Sequence, residues 1–233
     1  MSDTFVLPHV EEHLGMTDLA RAALAHGLAD AAHDRTGHGA HAVRMVVHTA
    51  RALAVAEDHT DPDLIERIVI TAALQDVADV KRTGDAGSGA EAARAFLTGE
   101  GASGAFAAAV AADIAAIKFQ GARTPRRPLS AAGRIVQDAV WLASLGAIGI
   151  CTAMAYGGSI GRELHDPDLP AFYADTAAAY LAQTTTIINH LIEKAAVIPR
   201  MLNTETARLI AQRRHEFLMR FLAQFTAEWE GRA

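Results

Sequence analysis

Residues 60–76 carry the sequence TDPDLIERIVITAALQD, which is typical of a helix that buries one apolar face. The segment 60–63 combines capping side chains with a proline, and both favour the start of a helix. Apolar residues then recur at intervals of three and four, which places them on one helical face: Ile65, Ile68, Val69 and Ala72. Asp76 continues this stripe and Gln75 lies beside it. We therefore expect a carboxylate and an amide on the buried side of this helix.

A second carboxylate interrupts the apolar face of a later helix, at residues 130–145. Ile135, Leu142 and Leu145 share a face, and Asp138 lies between them at helical spacing. An ionised carboxylate is costly to bury unless it is paired, so two such residues on separate helices indicate a shared polar site. The alternative is that Asp76 and Asp138 cap loops or pair with Arg134 or Arg214.

A histidine lies on the helix predicted at residues 38–56. Its apolar face is Val43, Val46, Val47, Ala50 and Leu53, and the opposite face, which contains His41, also carries Met45, His48, Ala52 and Val55. A helix that is apolar on both sides is typically buried on both sides. We therefore expect His41 to enter the interior, either as part of the shared site or as a satisfied core histidine.

The remaining chain is also predicted to be helical, because no alternating strand pattern occurs. Further helices are expected at about 17–32, 90–97, 104–117, 173–195 and 204–230, and the helix that begins at residue 60 is expected to end before Gly84. An irregular connection is expected from the turn at 156–158 to residue 170. The fold class is all-α, with a single domain over residues 1–233 and a core at about 17–230.

Composition and charge exclude several classes of partner. The 21 basic and 27 acidic residues give a formal charge of −6, and the basic ones form no stripe, which argues against nucleic acid. No run of 18 apolar residues occurs, so no membrane span is predicted. The one cysteine, Cys151, is interpreted as a small core residue, and a reducing, cytoplasmic location is expected.

Several segments resemble the HD-superfamily phosphohydrolases, in particular the small bacterial nucleotide pyrophosphohydrolases of the YpgQ type. The resemblance runs from about residue 17 to residue 232 and implies a helical bundle of the HD-domain type. The segments that carry it are TGHGAHAVR (36–44), ALQDVADVK (73–81), IKFQG (117–121), VQDA (136–139), LGAIGI (145–150), AYGG (155–158), INHLIEK (188–194), NTETAR (203–208) and RH (214–215).

By resemblance, the positions of the family's four metal ligands are His41, Gln75, Asp76 and Asp138. In the family a bound divalent ion activates water and holds phosphate oxygens. Here the histidine of the family's His-Asp pair is Gln75, and a neutral amide is a weaker ligand than imidazole for a transition metal.

Further departures follow the last aspartate. The family continues as Asp-Ala-Asp-Arg-Leu-Asp-Ala, whereas this chain has Val140, Trp141 and Ala143 in place of the second Asp, the Arg and the third Asp. Thr152 stands where the family has an arginine. Groups that hold a metal or neutralise phosphate are thus replaced by mostly apolar ones, which suit an uncharged organic ligand.

Three functions remain open. The preferred hypothesis is a diverged HD-superfamily enzyme with a degraded metal site, which transforms a small organic molecule, for example in specialised metabolism, with no cofactor favoured. His41 would be the general acid and base, oriented by Asp76 or Asp138. The alternatives are a phosphohydrolase for a nucleotide or phosphorylated small molecule, with Mn²⁺ or Mg²⁺ held by the same three residues, and a non-catalytic binding protein. A homo-oligomer is left open.

Seven residues are expected to line the substrate pocket: Gln75, Lys81, Val140, Trp141, Thr152, His190 and Lys194. Lys81, His190 and Lys194 would contact phosphates if the chain is a phosphohydrolase. His190 and Lys194 also lie one helical turn apart, so a surface pair is the alternative for these two.

Overall fold

The computed structural model describes residues 15–79, 83–85 and 87–232. In this part of the chain every regular element is a helix, and no strand occurs. The predicted all-α class is therefore confirmed. The contacts group the chain into two units, residues 1–118 with 127–140 and residues 119–126 with 141–233. The boundaries expected for one domain stay a prediction.

Helices form the described part of the first unit, and three of them have a side-chain cap. Thr17, Asp61 and Ser103 accept hydrogen bonds from backbone amides in the first turns of their helices, which satisfies donors that would otherwise lack partners. The helices are α1 (Asp18–Asp30), α2 (Ala40–Ala56), α3 (Pro62–Leu74), α4 (Ser88–Gly99), α5 (Gly104–Ile117) and most of α6 (Ala131–Ala143).

The core of the first unit is formed by the predicted apolar faces. On α2, Val43, Val46, Val47, Ala50 and Leu53 are at most 4% exposed, and on α3 Ile68, Val69 and Ala72 are at most 2% exposed. Helix α1 approaches α3 at a glycine, because a Cβ atom on Gly27 would lie 2.1 Å from the carbonyl oxygen of Ala73.

A buried ion pair fixes α3 against α5. The Asp113 carboxylate is almost fully buried and accepts hydrogen bonds from Arg67 Nε at 2.8 Å and from Ser130 Oγ at 2.6 Å. Ser130 directly precedes α6, so one carboxylate connects three helices. Because each of its partners is a donor with good geometry, the buried charge is compensated.

The second unit contains shorter and less regular elements. Its described part comprises the end of α6, then α7 (Gly146–Ser159), α8 (Ala177–Ala182), α9 (Ile187–His190), a π-helical turn (Leu191–Ala195), a 3₁₀ turn (Ile198–Met201) and α10 (Glu205–Trp229). Helix α10 agrees within a residue with the helix predicted at 204–230.

Three sequence expectations about the second unit are wrong. The turn expected at 156–158 lies within α7, and the single helix expected at 173–195 is interrupted between Ala182 and Ile187. Gln183 adopts an extended conformation, and the side chain of Thr186 then caps the next helix at Asn189 N. Cys151 is exposed on α7 rather than buried. Local spacing misses these points because neighbouring elements decide which face is covered.

Among the described helices, none is both long and apolar enough to cross a membrane by itself. Helices α6 and α7 meet the length and composition requirement only as a pair, which is bent by 74°.

Candidate functional site

Gln75 and Asp76 lie at the end of α3 rather than on its face. The helix ends at Leu74, and Gln75 is its C-terminal cap. The Gln75 residue is 3% exposed, whereas the Asp76 side chain is 31% exposed. Gln75 is therefore buried as expected. The prediction that Asp76 continues the buried stripe of a longer helix is wrong, because the helix ends two residues before it.

An ammonium group holds this turn together. Lys118 follows α5, and its Nζ donates hydrogen bonds to the Gln75 carbonyl oxygen at 2.7 Å, Asp76 Oδ1 at 3.1 Å and Asp79 Oδ2 at 2.8 Å. Burial lowers the pKa of Lys118, but the charges of Asp76 and Asp79 outweigh it, so its pKa is raised. Lys118 is therefore a fixed positive charge beside Asp76.

Two buried polar atoms, one on α3 and one on its C-terminal cap, lack hydrogen-bond partners among the described residues. They are Thr71 Oγ1 and Gln75 Oε1, on residues that are 0% and 3% exposed. The two residues lie four positions apart, so they share a helical face. Buried polar groups are usually paired, and an unpaired one costs about 1–3 kcal/mol. Two acceptors therefore lie close together here without a partner among the described residues.

Asp138 is buried on α6, as predicted. The residue is 0% exposed, and its neighbour Gln137 donates from Nε2 to the Ile117 carbonyl oxygen at 3.3 Å. Val140, two residues further along, is half-buried. The inward orientation of the second carboxylate is thus confirmed.

His41 does not enter the interior. It is the second residue of α2 and is exposed, as is Val55 near the other end of the same face. Only the middle of that face is covered: Met45 and His48 are half-buried and Ala52 is buried. The prediction that His41 is buried is therefore wrong.

In the part of the first unit that the structure describes, the donor groups do not fit a hydrolytic metal ion. Among the described residues, no three His, Cys, Asp or Glu side chains are arranged to hold one. Of the expected ligands, Gln75 offers only a neutral amide oxygen, and Asp76 is already bound by an ammonium ion. Tight divalent binding needs several anionic or imidazole ligands that converge on one point.

The second unit has a cluster of aromatic rings, which we call the aromatic cluster: Phe119, Trp141 and Tyr180. Phe119 meets Trp141 edge-to-face at 5.8 Å and Tyr180 at 5.3 Å between ring centroids. The Lys194 ammonium lies 5.8 Å from the Phe119 centroid, and the Arg126 guanidinium lies 5.5 Å from that of Trp141. These distances allow cation–π attraction.

Tyr180 contributes a neutral phenol to this cluster. Burial, and to a smaller extent the charge of Glu193, raises the pKa of Tyr180 to about 12 against the opposing effect of Arg162. The phenol therefore keeps its proton at neutral pH and can donate or accept a hydrogen bond.

A buried glutamate positions the π-helical turn that carries Lys194. Glu193 is 3% exposed, and its carboxylate accepts hydrogen bonds from Phe172 N, Gln183 Nε2 and Thr185 Oγ1 at 2.8–2.9 Å. A satisfied carboxylate of this kind orders the segment rather than reacting. Lys194 is half-buried beside it.

The remaining predicted residues are divided between the two units. Thr152 and His190 are half-buried in the second unit, together with the almost fully buried Trp141. Lys81 lies outside the described residues. Sequence reasoning missed Lys118, which was quoted in the segment 117–121 but given no role. The signal was a lysine directly after a helix whose one charged residue is Asp113.

Comparisons with known proteins lead to YpgQ and to HD-superfamily hydrolases. No family model matches the chain. It is 34% identical to YpgQ of Bacillus subtilis over 106 residues, which is 46% of this chain and 44% of YpgQ, so the match spans less than half of that protein.

Solved structures match over nearly the full length. A Lactobacillus plantarum protein is 30% identical, with a TM-score of 0.83 over 93% of this chain and 99% of that one. A Bacillus thuringiensis HD-superfamily hydrolase is 27% identical, with a TM-score of 0.61 over 91% and 98%. Bacillus subtilis YpgQ in complex with ADP shares the fold, at 22% identity and a TM-score of 0.67 over 92% and 100%.

Proposed function

This chain belongs to the YpgQ-like proteins of the HD superfamily, and from that premise we propose that it is an enzyme that transforms a small organic molecule without a divalent metal ion. The ancestral scaffold is a hydrolase fold. The proposal is that this chain keeps the fold and has changed the chemistry carried out on it.

The state of Gln75 is the observation that carries this proposal. The resemblance assigns this position to a metal-binding histidine, but here a neutral amide is buried with its Oε1 unpartnered among the described residues. Such an acceptor suits a ligand that donates an N–H or O–H group. The hydroxyl of Thr71 lies one turn away and can take part in the same contact.

Three side chains receive roles in the reaction. His41 is the proposed acid–base group, because an exposed imidazole can exchange protons with a ligand and with solvent. Asp138 is the proposed buried carboxylate that orients the ligand or the imidazole. Asp76 is paired with Lys118, which also pairs with Asp79, so Asp76 is assigned a structural part in holding the turn after α3.

The second unit offers a separate surface for an organic molecule. The aromatic cluster combines apolar rings with the Tyr180 phenol and the Lys194 ammonium. Ligand sites are commonly apolar with a few placed polar groups, and this cluster has that composition. We propose that Trp141 and Lys194 contact a planar ligand. Thr152 and His190 in the second unit, and Val140 in the first, are further candidates for ligand contact.

A metal-dependent phosphohydrolase is the second candidate, and the relatives favour it. One relative is an HD-superfamily hydrolase, and YpgQ was crystallised with ADP. In that case Mn²⁺ or Mg²⁺ would be held by His41, Asp76 and Asp138, with Gln75 or water completing the shell. The ion pair between Lys118 and Asp76 counts against this candidate. A non-catalytic binding protein is the third.

Metal analysis and product analysis separate these candidates. The purified protein is expected to carry no stoichiometric Mn²⁺ and to release no phosphate from a panel of nucleotides and phosphomonoesters with Mn²⁺ added. A metabolite mixture incubated with the protein is then compared by mass spectrometry. A compound consumed by the wild type and by His33→Ala, but not by His41→Ala or Asp138→Asn, supports the proposal.

His33 is the matched control in this comparison, because it is another exposed histidine without an assigned role. Stoichiometric metal together with phosphate or pyrophosphate release would overturn the proposal in favour of the phosphohydrolase. Retention of a metabolite without its conversion would favour the binding protein.

A further inference from the structure

Lys118 places a positive charge where the family places its metal-binding residues. Its ammonium contacts the carbonyl oxygen of Gln75 and the carboxylates of Asp76 and Asp79 at 2.7–3.1 Å. Three oxygen acceptors therefore converge on one cation. An ammonium ion has three donors and no acceptor, so this arrangement matches its hydrogen-bonding capacity.

The ion pair is not a loose surface contact. The side chains of Lys118, Asp76 and Asp79 are 32%, 31% and 12% exposed. Lys118 lies 42 positions after Asp76 and 39 positions after Asp79 in the sequence. One acceptor is the main-chain carbonyl oxygen of Gln75 at the end of α3, so the ammonium is hydrogen-bonded to the backbone as well as to the side chains. Salt screens a partly buried ion pair less than it screens a fully exposed one.

The ammonium also disfavours a second cation. A divalent ion on Asp76 would lie within a few ångströms of Lys118, and like charges at such distances repel strongly in a partly buried site. It would also have to share the Asp76 carboxylate with the lysine. The loss of imidazole at position 75 and the presence of Lys118 therefore act in the same direction.

We propose that the Lys118 ammonium is the resident cation of this site, which replaces a divalent metal ion in holding Asp76 and the turn after α3. The inference deepens the proposed metal-independent function and rests on it. It predicts that two substitutions, one at each position, restore metal binding that neither restores by itself.

The test is Mn²⁺ binding by the full chain, measured by the loss of the free-ion electron paramagnetic resonance signal. The variants are Gln75→His, Lys118→Met and the double variant. The double variant is expected to bind Mn²⁺ about 10-fold or more tightly than Gln75→His, as expected when a group that orients or opposes a ligand is changed. Bound Mn²⁺ should also raise the unfolding temperature of the double variant and not that of the wild type.

Three controls keep the test specific. Lys118→Arg with Gln75→His retains the charge and should bind no better than Gln75→His. Lys194→Met with Gln75→His makes the same change at another half-buried lysine and should also show no gain. If the methionine variant unfolds, Lys118→Gln removes the charge while keeping a donor for the Gln75 carbonyl oxygen.

The outcomes distinguish a failure of the proposed role of Lys118 from a failure of the proposed metal-independent function. Equal Mn²⁺ affinity of Gln75→His and the double variant, or no binding by folded double variants, overturns the role of Lys118 and leaves the proposed function standing. Stoichiometric Mn²⁺ binding by the wild type overturns both.

Discussion

Replacing Thr71 by valine should stabilise this protein, although Thr71 is fully buried. Its Oγ1 has no hydrogen-bond partner among the described residues, and the residue is 0% exposed. Valine has nearly the same shape and lacks the hydroxyl. An unsatisfied buried polar group costs about 1–3 kcal/mol, so we expect the free energy of unfolding to rise by about 1 kcal/mol.

The matched control is the same substitution at Thr185, which is 8% exposed. Its Oγ1 donates to the buried carboxylate of Glu193 at 2.9 Å. Loss of a hydrogen bond to a charged group costs about 1.5–3 kcal/mol, so Thr185→Val should destabilise the protein. Two chemically identical changes are thus expected to move stability in opposite directions.

Urea unfolding followed by far-ultraviolet circular dichroism measures both effects. The midpoint should rise for Thr71→Val and fall for Thr185→Val, with the slope unchanged. In a thermal scan, 1 kcal/mol corresponds to about 2–4 °C for a chain of this size. If Thr71→Val lowers the midpoint as much as Thr185→Val does, the hydroxyl has a partner in the folded protein. The inference that Thr71 Oγ1 is an unpaired buried group on α3 would then fail.

Two further predictions concern packing and ionisation. Gly27→Ala should unfold the first unit or destabilise it by several kcal/mol, because its Cβ atom would lie 2.1 Å from the Ala73 carbonyl oxygen. The control is Gly158→Ala, whose Cβ atom would meet nothing within 4 Å and which should be tolerated. The unfolding midpoints of both variants check this prediction. Absorbance at 295 nm should show one phenol that titrates with a pKa of about 12, which Tyr180→Phe removes. Because burial raises this pKa in the folded state, the stability that it contributes is present below pH 10 and is lost as the pH rises towards 12. A late-titrating phenol that persists in Tyr180→Phe would contradict the assignment.

The helical elements could be predicted because their signals are local. The cap at Thr17, the proline after Asp61 and the apolar spacing on α2 and α3 all act within one or two turns, and the structure confirms them. The burial of Gln75 and Asp138 followed from the same spacing. The family resemblance is also confirmed, since it depended on segments spread along the whole chain.

Exposure and charge pairing at the candidate site required the tertiary structure. Helical spacing placed His41 on an apolar face, but whether that face is covered depends on elements far away in sequence, and at His41 it is not. The ion pair between Lys118 and Asp76 joins residues 42 positions apart, and no local pattern relates them. Periodicity reports which side chains share a face, whereas the free energy of a buried charge depends on what the fold brings against it.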